Sequence, residues 1–549
     1  MQCKNCQSIF TIYPEDRAFY GRIGVPEPTE CPPCRARQRA VWRNEYILYQ
    51  RKCDLCQQNI VSVYSPDKPY KVYCHECWFS DKWDGLDFGR DYDFQRGFFE
   101  QFGELLLAVP RLAINNTNSI NSEYTHHTSR NKNCYLQFSG STDCEDCLYG
   151  WSVYNSRDCL DAAFCYKSEL CYECTDIENC YNCSYLEYSR DSADCHFCYD
   201  CVGCHNCFGC TNLRNQTNYL WNRQATEAEI LEFKKQLASR TAIVKLRQKY
   251  QTVKAEAIFP YSHNLKTVKT TGDFVRYTKN CHEVYDIWDA EDCGFVINGS
   301  NMKDANDCTG YGGTPSQLAY QCASTGRGSY GTFFCSIVWE SSHIWYSDSI
   351  FSSKEIFGSV GLKNQTFCLL NKKYAEADYN QLKSKIITAM KAAGEWGEFF
   401  PYALAPFGLN ETRASLENFA LTKEEVLKQG IKWQEEIGRT KGKETIKTIP
   451  DEVAGLDEKI CQEILACAEC SRNYKIIKPE FRFYQQQNIP LPDCCPDCRM
   501  LRRLKTHKNK TLYHRQCMKE GCANEFKTTY APDRPEKVYC EECYRKEIY

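Results

Sequence analysis

Sixteen cysteines of this chain fall into eight close pairs, and close cysteine pairs are what a thiophilic metal ion requires. From the start, Cys3-x2-Cys6 is followed by Cys31-x2-Cys34, then by Cys53-x2-Cys56 and Cys74-x2-Cys77. Near the end come Cys467-x2-Cys470 and Cys495-x2-Cys498, then Cys517-x4-Cys522 and Cys540-x2-Cys543. Each tight turn presents two thiolates to one ion, and two turns complete a tetrahedral shell, which zinc fills at about 2.3 Å per bond. A closed four-thiolate shell leaves no position for water, so such an ion fixes shape and does no chemistry. Segments this short bury little apolar surface, and metal binding supplies the folding free energy they lack. The expected complement is about four structural zinc ions, one per pair of pairs.

The two ends are copies of each other. The steps from Cys6 to Cys31 and from Cys470 to Cys495 are both 25 residues. Those from Cys34 to Cys53 and from Cys498 to Cys517 are both 19, and those from Cys56 to Cys74 and from Cys522 to Cys540 are both 18. The text repeats as well: Tyr64-x-Pro66-Asp67-x-Pro69-x-Lys71-Val72-Tyr73 returns as Tyr530-x-Pro532-Asp533-x-Pro535-x-Lys537-Val538-Tyr539. Cys494 aligns with Glu30, so Cys495 is the expected ligand. With Cys3-x2-Cys6 followed by Cys31-Pro32-Pro33-Cys34-Arg35, and Cys495-Pro496-Asp497-Cys498-Arg499 at the other end, the first module of each pair resembles the zinc-ribbon, treble-clef-like domains of uncharacterised bacterial proteins. The resemblance covers some 40 residues at each end and implies metal binding, not an activity.

Between these ends the cysteines follow a different rule. From Cys144 to Cys210 there are 14 cysteines, all at positions divisible by three. Such a series drifts around a helix and violates the two-residue alternation of an ordinary strand. It fits a β-solenoid with one inward side chain per three residues, and the column Tyr135, Cys147, Cys159, Cys171, Cys183, Cys195, Cys207, Tyr219 sets about 12 residues per coil. An 18-residue coil is the alternative. Asp143, Asn155, Asn179, Asp191, Gly203 and Asn215 share a turn-prone column. Cysteine suits a narrow interior as a small, readily buried hydrophobe. The competing functional reading is a metal or redox array, for example Cys195, Cys198, Cys201 and Cys204 around one coil. A second, wider stretch is expected where Cys281, Cys293, Cys308, Cys322 and Cys335 recur among Trp288, Phe295, Phe333, Phe334, Trp339 and Trp345.

The expected architecture is therefore mainly β. Zinc modules occupy 1–46 and 47–80, a helical cap or linker 81–112, and the cysteine-rich solenoid 113–223. A helical insertion follows at 224–264, where Thr226 and Glu229 form a capping box, then the second part of the solenoid at 265–371. A helical region (372–438) and a charged linker (439–460) lead to zinc modules at 461–510 and 511–549. In the cap, Phe94, Phe98, Phe99, Phe102 and Leu106 form an apolar helical stripe.

Neither a basic-then-apolar leader nor an apolar run approaching about 20 residues is present, so the cytoplasm is the expected location, with no membrane partner. Net charge is -3, which argues against a surface saturated with phosphate-binding charge. Basic residues nonetheless cluster after the second knuckle of each first module: Arg35, Arg37, Arg39 and Arg43, then Arg499, Arg502 and Arg503, with Lys505, Lys508 and Lys510 beyond. A knuckle helix so charged is a candidate for contacting nucleic acid or ribosomal phosphates. His126-His127 reads as surface or a corner, and Gly310 to Gly313 and Gly326 to Gly331 read as turns. No constellation reads as catalytic and no small-molecule substrate is identified. A non-enzymatic scaffold with a protein partner leads, ahead of a nucleic-acid-binding protein and an enzyme or redox protein using core thiols.

Overall fold

The computed structural model describes residues 1–416, 421–435, 437–507 and 509–549; Lys508 lies outside them. The chain forms two compact units, each assembled from separated segments. One contains Met1–Ile114, Ser262–Glu435 and Asn509–Leu512; the other contains Asn115–Tyr261, Glu436–Lys508 and Tyr513–Tyr549. Each unit thus joins one pair of cysteine modules to one stretch of the repetitive middle, and in both cases the two are far apart in sequence.

In the second unit the three-residue rule has a backbone cause. Asp143, Asp146, Tyr149 and Ser152 have φ of 54°, 53°, 57° and 53°, and the series continues at every third residue. Two extended residues and one left-handed residue make each step, which favours Asn, Asp and Gly at the third position. Successive rungs pair in parallel 12 residues apart, with Trp151 opposite Ala163, Val153 opposite Cys165, and Cys165 opposite Ile177. Five parallel strands stack this way, from Trp151–Tyr154 to His196–Tyr199. The column from Cys147 to Cys207 is 0–1% exposed.

Small polar side chains complete the corners. The Cys147 thiol lies 3.4 Å from the carbonyl oxygens of Glu145 and Ser156, and Cys159 repeats the pattern with Arg157 at 3.3 Å and Ser168 at 3.5 Å. Serine fills equivalent places: Ser156 Oγ donates to the Tyr154 carbonyl at 2.9 Å and accepts from Ser168 N at 3.2 Å. The ladder ends in the hairpin Tyr219–Leu220 with Arg223–Gln224. Helix Glu227–Gln236 follows, with the Thr226–Glu229 capping box. The helical insertion is two helices, the second being Arg240–Ala255, and Leu231 is exposed while Ile230 and Phe233 are buried. The stretch expected to be a charged linker supplies Asp451, whose carboxylate accepts from Ser239 Oγ, Thr241 N and Thr241 Oγ at the start of that second helix.

The first unit holds the second ladder. Its rungs keep the 12-residue offset at Tyr285 with Ile297 and at Ile344 with Ile356, and widen only to 14 at Gly312 with Gly326 and 13 at Tyr320 with Phe333. The expectation of wider later coils is therefore corrected: the extra residues sit at one glycine-rich corner. There a Cβ on Gly312 (φ 115°) would lie 1.7 Å from the Ser300 carbonyl oxygen, so only glycine fits. The inward column stays small, with Cys308, Cys322, Cys335, Ile344 and Ile356 all fully buried. The aromatic residues expected inside it, Phe333, Phe334 and Trp345 among them, instead pack on its outer face in a separate cluster. This ladder also ends in a hairpin, Thr366–Leu369 with Lys372–Lys373, followed by helix Glu376–Ala392. Asn371 Oδ1 accepts from Val360 N at 2.7 Å, as Asn222 Oδ1 accepts from Thr211 N at 2.8 Å in the other ladder. The duplication seen at the chain ends therefore extends to the ladders.

Two further expectations change. The helix at the cap is Phe98–Ala108, which leaves Phe94 outside it and exposed while Phe98, Phe102 and Leu106 are buried. Within the helical region expected at 372–438, the described residues between 393 and 433 are mostly short turns, with one six-residue helix among them, Lys423–Lys428.

Candidate metal centres

The eight cysteine pairs come together as four clusters, each with its four sulfurs within 4.8 Å of one another: Cys3, Cys6, Cys31, Cys34; Cys53, Cys56, Cys74, Cys77; Cys467, Cys470, Cys495, Cys498; and Cys517, Cys522, Cys540, Cys543. The sulfur separations Cys6–Cys31, Cys56–Cys74, Cys470–Cys495 and Cys522–Cys540 are 3.5, 3.9, 3.7 and 3.9 Å. A tetrahedron with bonds of about 2.3 Å has edges of about 3.8 Å, so the clusters have the span of a metal shell. Cys494 belongs to none of them.

The same local device builds all four. The third cysteine of each cluster is the N-cap of a short helix, and its backbone N–H points at the first cysteine's sulfur. Cys31 N donates to Cys3 Sγ at 3.2 Å, Cys74 N to Cys53 Sγ at 3.3 Å, Cys495 N to Cys467 Sγ at 3.2 Å, and Cys540 N to Cys517 Sγ at 3.3 Å. An amide aimed at sulfur favours thiolate over thiol, which suits a metal ligand.

The arginines of the first modules do something other than meet solvent. Helix Pro32–Ala40 places Arg35 and Arg39 four residues apart on one face, and both reach Asp307 of the same unit's ladder. Arg35 Nε and Nη2 each donate to the Asp307 carboxylate at 2.9 Å, and Arg39 Nη1 donates to Asp307 at 3.3 Å and to Gln321 at 2.9 Å. Arg43 Nη1 donates to the Thr309 carbonyl at 3.0 Å. In the second unit, helix Pro496–Leu504 brings Arg499 and Arg503 to Asp161 at 3.0 and 2.9 Å, and Arg499 also to Glu480 at 3.1 Å. Arg35, Arg39, Arg43, Arg499 and Arg503 are all buried. The expectation that they face phosphates is corrected, because these side chains are buried against partners inside the fold. Of these arginines only Arg37 and Arg502 are partly exposed; Arg37 bonds Tyr402 and Gln429, and Arg502 pairs with Glu469, while Lys505 beyond the second helix is exposed.

Burial disfavours the charge on both docking arginines of the first unit. At Arg35 burial is the largest single influence, but Asp307 together with Tyr320 and Tyr20 holds the pKa above the usual guanidinium value, while at Arg39 burial prevails and lowers it. Glu480 is raised by burial, although Arg499 beside it pulls the other way.

The second modules dock through strands. Val72–Tyr73 pairs in parallel with Arg111–Leu112, and Arg111 Nη2 reaches Asp348 at 3.0 Å. Lys537–Tyr539 pairs in parallel with Ile258–Pro260, and Tyr544 bonds Asp200, which also pairs with Arg214 at 2.9 Å.

The acidic and aromatic partners were missed in the sequence. A signal existed: alignment of the end copies matches Arg35 with Arg499, Arg39 with Arg503, Asp16 with Glu480, and Phe19-Tyr20 with Phe483-Tyr484. Arg37 and Arg502 have no basic counterpart, standing opposite Leu501 and Gln38. On the knuckle helices the duplicated arginines are the buried ones.

Among the described residues the core cysteines form no metal-binding group, Cys195, Cys198, Cys201 and Cys204 included. His126, expected at a surface or corner, is buried, and its Nδ1 accepts from Asn115 N at 3.0 Å. No helix among the described residues is long and apolar enough to cross a membrane. No protein-family model and no curated protein matches this sequence.

Proposed function

We propose that the protein is a non-enzymatic scaffold in which two pairs of zinc-ribbon-like modules brace two β-solenoid halves and hold their surfaces out for binding. The observation that carries this reading is the use made of the module helices: each docks on its ladder through two buried arginines and one buried aspartate. A module that gives its charged face to its own fold is a brace. Zinc is the metal favoured by four thiolates at tetrahedral spacing, and with no open position it would hold the knuckle against which the helix starts. Parallel rungs stacked 12 residues apart, closed by a hairpin and a helix, support the solenoid reading of both ladders. The buried arginines leave little to support a nucleic-acid-binding surface on the knuckle helices.

Metal analysis of the purified full-length protein is the direct test, with about four zinc ions per chain expected. Cys495→Ser is expected to remove about one ion, and Cys494→Ser none. A chain that purifies folded without metal, or loses metal on Cys494→Ser alone, would sink the assignment.

A further inference from the structure

An open concavity lies away from the metal centres, on the ladder of the first unit. It is an open groove of about 860 Å³ formed by the same three-residue segment of five successive rungs: 277–279, 289–291, 301–303, 315–317 and 328–330. At about 4.8 Å per rung it runs roughly 19 Å along the ladder. Its floor is closed by the inward middle residues, with Thr278, Ala290, Met302, Ser316 and Ser329 each under a tenth exposed.

Its walls have a particular chemistry. At the two ends stand Tyr277 and Tyr330, 47% and 44% exposed, although tyrosine has ample core to enter elsewhere in this unit. Each ring is steadied from the side: Lys266 Nζ lies 5.4 Å from the Tyr277 centroid, and the His343 ring lies edge-on to Tyr330 at 5.5 Å. Between them the walls are polar and their charges cancel. Lys279 and Lys303 both reach Glu291, at 3.1 and 3.0 Å, and Asp289 balances the remaining cation. Asp289 is exposed and has no ion-pair partner among the described residues, so its carboxylate can accept hydrogen bonds from a ligand.

We propose that this groove binds a neutral oligosaccharide lengthwise. An anionic strand needs a surplus of positive charge, and the groove has none. A protein partner would want an apolar centre of anchoring pockets, whereas Lys279, Asp289, Glu291, Asn301, Lys303 and Gln317 stand along these walls. A chain of uncharged, hydroxyl-bearing rings fits both features. The tyrosines offer flat amphipathic faces for the rings, while Asp289, Asn301 and Gln317 offer acceptors and donors at rung intervals to hydroxyls. The groove makes no use of the metal, so this inference stands apart from the scaffold reading.

The test is calorimetric titration of the full-length protein with soluble cello-, malto-, chito- and manno-oligosaccharides, beside polyuridylate as an anionic control. Binding of at least one neutral oligosaccharide is expected, unchanged by added salt and weakened about tenfold by Tyr277→Ala or Tyr330→Ala. Asp289→Asn, which preserves shape, is expected to weaken it as well, and thermal melts confirm that each variant is folded. Absence of binding across the panel, binding indifferent to all three variants, or tighter salt-sensitive binding of polyuridylate would each overturn the proposal.

Discussion

Two buried arginines facing one buried aspartate is an arrangement whose value depends on every member being present. Arg35 and Arg39 are 3% and 0% exposed and Asp307 is fully buried; Arg499, Arg503 and Asp161 repeat the geometry in the other unit. Asparagine at position 307 or 161 keeps the shape but removes the negative charge, leaving guanidinium groups in a low-dielectric setting without it. Asp307→Asn and Asp161→Asn are each expected to destabilise by about 3–5 kcal/mol, the usual consequence of breaking a buried pair from one side. Equilibrium denaturation measures this, and a cost within that of a surface substitution would mean that water reaches these pairs. The carboxylates were not legible in the sequence, because aspartate is common at the corners of these ladders and nothing local marks Asp307 or Asp161 among the others. The arginines were legible as a cluster yet misread as a binding face, since helical spacing says which residues share a face and not what covers it.

At the scale of elements, the three-residue step was the most legible feature, because an interior one side chain wide forces every third position to be small. The 12-residue offset followed from the cysteine column, and the parallel pairs keep it. What the column could not convey is that its small residues also serve the backbone. Ser341 Oγ donates to the Trp339 carbonyl at 2.8 Å and accepts from Ser353 N at 3.0 Å; Ser353 does the same for Phe351 and Gln365. Cysteine in the other ladder sits against the same kind of carbonyl, two residues back. Serine and cysteine are thus two versions of one corner. Ser341→Ala leaves the Ser353 amide without its acceptor in a buried place and is expected to cost about 1–3 kcal/mol. Ser341→Cys, which restores a polar atom there, is expected to cost less; denaturation curves for the pair decide it, and equal losses would reduce the corner to a matter of volume.

The whole molecule is where contiguous reading fails. The units are assembled from segments that divide at 114, 261, 435, 508 and 512. Their grouping was invisible, since cysteine spacing and helical periodicity are local signals and docking is decided by contacts hundreds of residues apart. The modules at 1–80 belong with the ladder that begins near 265, and the ladder that begins near 115 belongs with the modules at the other end. A fragment cut after Tyr261 therefore holds a module pair without its ladder and a ladder without its module pair. The face each ladder turns to its modules is aromatic: Tyr320 beside Phe19 and Tyr20, Phe351 beside Trp78, and Tyr172 beside Phe483 and Tyr484. Uncovered, such patches bind dye or aggregate. Neither 1–261 nor 262–549 is expected to fold alone, and the two co-expressed are expected to recover a protease-resistant complex, because together they supply both units in full. A compact, soluble fragment 1–261 would show instead that each module pair and each ladder is stable by itself.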